Sequence, residues 1–297
     1  MKTLGGDTIV VGVDGSEDGL RAVQYAALLV REHDLSLRIV HVVNEIGVYG
    51  PMMPYVPDES FQEIGEGIVK DALRFAVSLQ VSPDRVTTRL VHGGRAIRLT
   101  EDVDQVRCLV LGTRGSALEH LFTGSTTTAV LARASLPVIT VPAAWDPEKP
   151  ARRRVVVGAD GSEVTEHVLA AAFAEASDRG AELQVVHAWR PASSYEGAVE
   201  AQTREDWEQA MTAALTKSVD AVATDFPEVR WTVSVQFQRA ALALQEAAAR
   251  ADLLVVGRRG HHAVASLFVG SLARTMVRTA TTPVLVVPVG EHDAHGE

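Results

Sequence analysis

The sequence of 297 residues holds a single cysteine, Cys108, so no disulfide can form within the chain. That excludes a disulfide-stapled secreted scaffold and fits a reducing compartment. Cys108 sits in an apolar run, where the expected role is a small buried hydrophobe, not a nucleophile. Lysine is scarce as well: Lys2, Lys70, Lys149 and Lys217 are the only four. None follows a glycine as a Walker-type phosphate loop demands, so that loop is excluded. Long apolar runs are missing. Near the N-terminus only residues 9–13 are apolar before Asp14, too short for the core of a signal peptide. No stretch approaches the roughly 20 residues of a membrane span. The expected compartment is the cytoplasm, with no membrane partner. Excess positive charge is also lacking. A formal charge of −10 argues against a broad nucleic-acid surface, so any anion site must be a local basic spot.

What the chain does have is a set of landmarks that occurs twice. Val11-Gly12-Val13-Asp14-Gly15-Ser16-Glu17 returns as Val157-Gly158-Ala159-Asp160-Gly161-Ser162-Glu163, at an offset of 146. The same offset relates His41 to His187, Gly124 to Gly270 and Pro137 to Pro283, and Gly112 precedes Gly257 by 145. A repeat this long means tandem domains, not a solenoid.

Within each copy, short apolar runs alternate with amphipathic ones. The first copy reads as strands at 9–13, 37–43, 86–91, 108–111 and 138–141, with helices at 17–33, 61–79, 96–102 and 125–133 between them. The second reads as strands at 154–159, 183–188, 230–237, 252–256 and 284–287, with helices at 164–177, 202–223, 242–250 and 272–277. Strands that are apolar throughout, alternating with helices, imply a parallel sheet covered on both faces. The predicted fold is α/β: two tandem Rossmann-like domains, each a doubly wound five-stranded parallel sheet. The domains are expected at 1–142 and 154–289, joined by a linker at 143–153 that contains Pro147 and Pro150. Residues 47–57, rich in Gly, Pro, Met and Tyr, read as an irregular loop. The polar tail at 290–297 is expected to be disordered.

In such a sheet, ligands bind at the carboxyl ends of the strands, where strand order reverses. Three features converge there. The first strand delivers Asp14 or Asp160, the second ends at His41-Val42 or His187-Ala188, and the fourth delivers a glycine loop. That loop is Gly257-Arg258-Arg259-Gly260, followed by Gly270-Ser271, and earlier Gly112-Thr113-Arg114-Gly115, followed by Gly124-Ser125. A helix start beyond a glycine loop leaves N–H groups outward, and the helix dipole favours an anion there. A carboxylate opposite an anion cradle suits a nucleotide.

These residues resemble the universal stress proteins, specifically the tandem, ATP-binding kind. That family's motif is Gly-x2-Gly-x9-Gly-Ser/Thr, which Gly257, Gly260, Gly270 and Ser271 match completely. The paired Val-Gly-x-Asp-Gly-Ser openings and the closing Pro-Val-x-x-Val strands are similar to the family too. The resemblance implies that Asp14 and Asp160 hydrogen-bond the adenine or ribose, with Val13 and Ala159 beside them. It sets Val42 and Ala188 against the adenine, and lets Gly112, Gly115, Gly257 and Gly260 admit the backbone to ribose and phosphates. Gly124-Ser125 and Gly270-Ser271 would cap the phosphate tail, with Thr126 and Leu272 next in each helix. Beyond the resemblance, Arg114, Arg258 and Arg259 lie inside the loops, able to offset phosphate charge. The first copy departs from the motif, with eight residues between Gly115 and Gly124 against nine between Gly260 and Gly270. Both copies are expected to bind ATP, the second more tightly.

Plainer roles stand beside these. The glycines would also permit close helix–sheet packing, and the Asp-Gly-Ser turns would also serve as helix starts. His41 and His187 are expected to pack or hydrogen-bond at strand ends, and His261-His262 to be a solvated pair. No protein-ligand metal site is visible, so any magnesium is expected to arrive with the nucleotide's phosphates. The sequence shows no nucleophile–base pair and no acid/base pair, so no catalytic residue is assigned. The expected function is a nucleotide-dependent regulator in stress or growth control, with a downstream protein partner unidentified; the alternative is a slow ATPase or nucleotide-transfer enzyme on the same loop. Proline at both ends of the closing strands, 137–142 and 283–288, marks edge positions. An intramolecular pseudo-dimer of the two domains and a homodimer of chains are expected from them.

Overall fold

The computed structural model describes residues 6–43, 58–101, 103–113, 125–161, 164–190, 201–258 and 269–288. The chain divides into two compact units, Lys2–Pro147 and Glu148–Glu297. The first unit runs β1 (Thr8–Val13), α1 (Glu17–Glu32), β2 (Ser36–Val43), α2 (Asp58–Ser78), β3 (Val86–His92), α3 (Arg95–Leu99), β4 (Val106–Gly112), α4 (Ser125–Arg133) and β5 (Val138–Val141). A single 3-10 turn at Pro83–Arg85 leads into β3. The strands pair in parallel in the order β3-β2-β1-β4-β5. The chain therefore winds outward from β1 through β2 to β3, then crosses back to β4 on the other side.

The second unit repeats that plan. It runs β6 (Arg154–Gly158), α5 (Val164–Asp178), β7 (Glu182–Ala188), α6 (Ala201–Ala223), β8 (Trp231–Gln236), α7 (Ala240–Ala248), β9 (Leu253–Gly257), α8 (Ser271–Thr279) and β10 (Val284–Val287). Its parallel order is β8-β7-β6-β9-β10. Both units are thus doubly wound α/β sheets.

Why these stretches become strands is visible in their burial. Val10 and Val11 in β1, all of Val155–Val157 in β6 and all of Leu253–Val256 in β9 are buried, because helices cover both faces of a central parallel strand. Strand β3 corrects the expectation of strands apolar throughout: Thr87, Thr88 and Arg89 are exposed, with polar side chains on both faces of the strand. The helix expected at 96–102 is shorter than its pattern. Thr100 closes α3 after Leu99: its backbone leaves the helical region and its N–H donates to the Ile97 carbonyl at 3.0 Å, a tightened last turn.

Two glycines in each copy are dictated by geometry. Gly15 and Gly161 adopt φ of +80° and +78°, left-handed values that any side chain resists. A Cβ on Gly12 would come 2.7 Å from Leu111 and 3.3 Å from Leu99, and one on Gly158 would come 3.0 Å from Leu244. Each strand thereby lets its crossing helix, α3 or α7, lie close against the sheet.

Candidate functional site

Strand order reverses in the first unit between β1 and β4, and a cleft of about 130 Å³ opens at their carboxyl ends. Five residues singled out from the sequence line it together: Val13, Asp14, Val42, Gly112 and Thr126. The Asp14 turn is held by its own side chain. Asp14 Oδ1 accepts from the Ser16 N–H (3.1 Å) and hydroxyl, and Ser16 Oγ in turn accepts from the Gly19 N–H (3.1 Å) at the start of α1. The helix-start role and a ligand role therefore share one carboxylate. Gly112 is also required by packing, because a Cβ there would overlap the Asp18 carbonyl oxygen of α1.

In the second unit Ala159-Asp160 follow β6, Ala188 ends β7, Gly257-Arg258 follow from β9, and Gly270, Ser271 and Leu272 open α8. Asp160 precedes the left-handed Gly161, as Asp14 precedes Gly15. Gly257 closes β9, and the Arg258 N–H donates to the Val287 carbonyl at 2.8 Å. The Arg258 carbonyl accepts from the Gly270 N–H at 2.8 Å, which ties the two ends of the glycine loop together. Arg258 itself is only 9% exposed, not a solvated loop residue. Gly270 is the N-cap of α8 and has no side chain to cap it, and the first turn of α8 carries no acidic residue. Among the described residues no side chain caps that turn, whose helix dipole favours an anion.

Arg114, Gly115, Gly124, Arg259 and Gly260 lie outside the described residues, as does the side chain of Ser125. So do the lengths of loop that distinguish the two copies, His261-His262, residues 47–57 and the tail at 290–297.

Each strand-end histidine donates from Nδ1 to the main chain of the first strand. His41 reaches the Val13 carbonyl and His187 the Ala159 carbonyl, both at 2.8 Å. A carbonyl can only accept, so Nδ1 carries the proton in both copies. His187 also lies 5.7 Å from Trp207 in a tilted pair, and Trp207 lies 4.1 Å from Trp189, so the second copy has an aromatic cluster at the end of β7. No group of three His, Cys, Asp or Glu able to hold a metal occurs among the described residues. No helix among them is long and apolar enough to cross a membrane.

The sequence profile of the universal stress protein family matches residues 6–142 and again residues 151–288. The chain belongs to the universal stress protein family. A universal stress protein of Mycobacterium tuberculosis strain H37Rv is 32% identical over 286 residues, spanning 94% of this chain and 96% of its own. One of Mycolicibacterium smegmatis is 29% identical over 293 residues, with the same shares. Among solved structures, a universal stress protein from Archaeoglobus fulgidus aligns over 96% of this chain and 97% of its own, with a TM-score of 0.68. At 16% identity that likeness shows the fold alone.

Some residues of this universal stress cleft escaped sequence reasoning. Arg95, Leu99, Asp18 and Thr127 all line it. Arg95 opens α3 directly after the N-cap Gly94, and the Gly93-Gly94 pair that frees the turn was the available signal. Thr127 carried none, since its place in the wall depends on how α4 lies over β4.

Proposed function

We propose that this universal stress protein binds ATP in both units, more tightly in the second, and acts as a nucleotide-dependent regulator in stress or growth control. The observation that carries this reading is the cleft at the strand-order reversal, where Asp14, apolar Val42 and the start of α4 line one space. A carboxylate suits hydroxyl or amino donors, an apolar wall suits a planar base, and an open helix start suits phosphates. In the second unit Asp160, Ala188 and the start of α8, with Gly270 at its N-cap, would supply the same three elements. Gly112, Gly115, Gly257 and Gly260 would then admit the phosphates, with Gly124-Ser125-Thr126 and Gly270-Ser271-Leu272 at their far end. Magnesium would enter only on those phosphates. Among the described residues no activated nucleophile is found, which supports retention over turnover.

The test is direct. Freshly purified protein is heated and the released small molecules are identified by mass spectrometry. About two nucleotides per chain supports both units, and about one supports a single unit. Protein that releases none and binds no added nucleotide would sink the reading.

A further inference from the structure

We propose that His41 and His187 are positioning residues for nucleotide binding, each holding through a main-chain carbonyl the peptide that carries the cleft aspartate. This rests on the nucleotide reading above.

The two carbonyls that accept from the histidines, those of Val13 and Ala159, belong to the residues just before Asp14 and Asp160. β1 ends at Val13 and β6 at Gly158, so each ring takes hold where strand pairing gives out. Beyond each aspartate comes a left-handed glycine, Gly15 or Gly161. In the second copy Ala159 also donates its N–H to the Val186 carbonyl at 3.0 Å, so both its main-chain groups are tied to β7. None of the described peptides is cis, and a trans peptide turns its N–H opposite to its carbonyl. The Asp160 N–H therefore turns away from β7, to the side of β9. The matching side in the first unit, from β1 to β4, is where the cleft opens and Asp14 lines it.

The two rings are held in different settings for this one bond. A Cβ on Gly65 of α2 would stand 3.2 Å from His41 Cδ2 and 2.7 Å from Leu90, so the glycine lets α2 close over the first ring. His187 instead lies beside Trp207 and is 7% exposed. Its Nε2 is buried and has no hydrogen-bond partner among the described residues. An unsatisfied buried nitrogen costs stability that an apolar side chain would not lose. Core packing alone therefore favours an apolar residue at position 187. What the two copies share is the bond to the carbonyl before the aspartate.

The experiment titrates the full chain with ATP by calorimetry and records a melting curve for each sample. Asparagine's amide nitrogen stands as many bonds from Cβ as Nδ1 does, whereas glutamine's lies one bond farther. His187→Asn should hold the second site's ATP affinity within about threefold, and His187→Gln and His187→Leu should lower it about tenfold, the worth of one hydrogen bond. The first site should not change in any of them. Because the histidine acts through the aspartate, adding His187→Leu to Asp160→Ala should weaken binding no further than Asp160→Ala alone. Losses that multiply in the double variant overturn the assignment, as does wild-type affinity in His187→Leu. An equal loss in His187→Asn and His187→Leu overturns it too, since the ring then matters only as packing. The same three substitutions at His41 repeat the test at the first site, which keeps it decisive where a variant of one unit fails to fold. Wild type that binds no ATP removes the nucleotide reading itself, which none of the variant results does.

Discussion

Single residues in this chain often serve two masters, and Asp14 is the plainest case. Its carboxylate holds Ser16, and Ser16 caps α1 through the Gly19 N–H. Ser16→Ala should lower stability by about 1 kcal/mol in urea unfolding, the usual value for a lost N-cap. Gly112 is equally double. Because its missing Cβ makes room for the Asp18 carbonyl, Gly112→Ala should destabilise the ligand-free protein by about 1–3 kcal/mol through overpacking. An unaltered melting curve for that variant would show that Gly112 serves the ligand alone. The sequence marked both residues but could not divide their duties, since contact with α1 is invisible in spacing. Arg95 was not marked at all: one arginine among many gains meaning only when folding sets it beside Asp14 and Val42.

At the scale of elements, the start of α8 separates structure from binding most cleanly. Gly270 caps it without a side chain. Gly270→Asp would supply the missing acceptor, adding a few tenths of a kcal/mol to stability relative to glycine. The same carboxylate would occupy the anion position and repel phosphate. The expected outcome is an equal or higher melting temperature with nucleotide binding at the second site lost, read by thermal unfolding and calorimetry on one sample. The central strands were legible because burial on both faces forces an apolar run, and helices such as α1 because one apolar stripe recurs along them. The end of α3 was not, since it is set by the backbone turn at Thr100, which the apolar pattern does not weigh. Inside α5, Phe173 is fully buried and stacks 5.6 Å from Phe226. Phe173→Ala should cost about 3–5 kcal/mol, whereas Leu242→Ala on α7, where 47% of the residue is exposed, should change little.

For the whole molecule, duplication is the governing fact. Two matches to one family profile and two strand orders of one plan make each unit a control for the other. Mutating one copy at a time should therefore yield separable losses of nucleotide, with the untouched copy still loaded. Closing strands bounded by Pro137 and Pro142, and by Pro283 and Pro288, keep the expectation that whole chains dimerise. Sedimentation at micromolar concentration should give twice the 31.8 kDa chain mass, and a single species at the chain mass would remove it.

The sequence by itself determined the fold class, the tandem repeat and the family, because those follow from patterns carried along the chain: apolar period, glycine spacing and a repeat near 146 residues. It also named Asp14, Val42 and Gly112 as neighbours, since parallel strands deliver their ends to one edge. Only the tertiary structure decided what surrounds them. The packing of Gly112 on α1, the burial of Arg258, the aromatic cluster at Trp189 and Trp207, and the place of Arg95 all depend on residues far apart in sequence. Close packing fixes those distances, and no local rule encodes them.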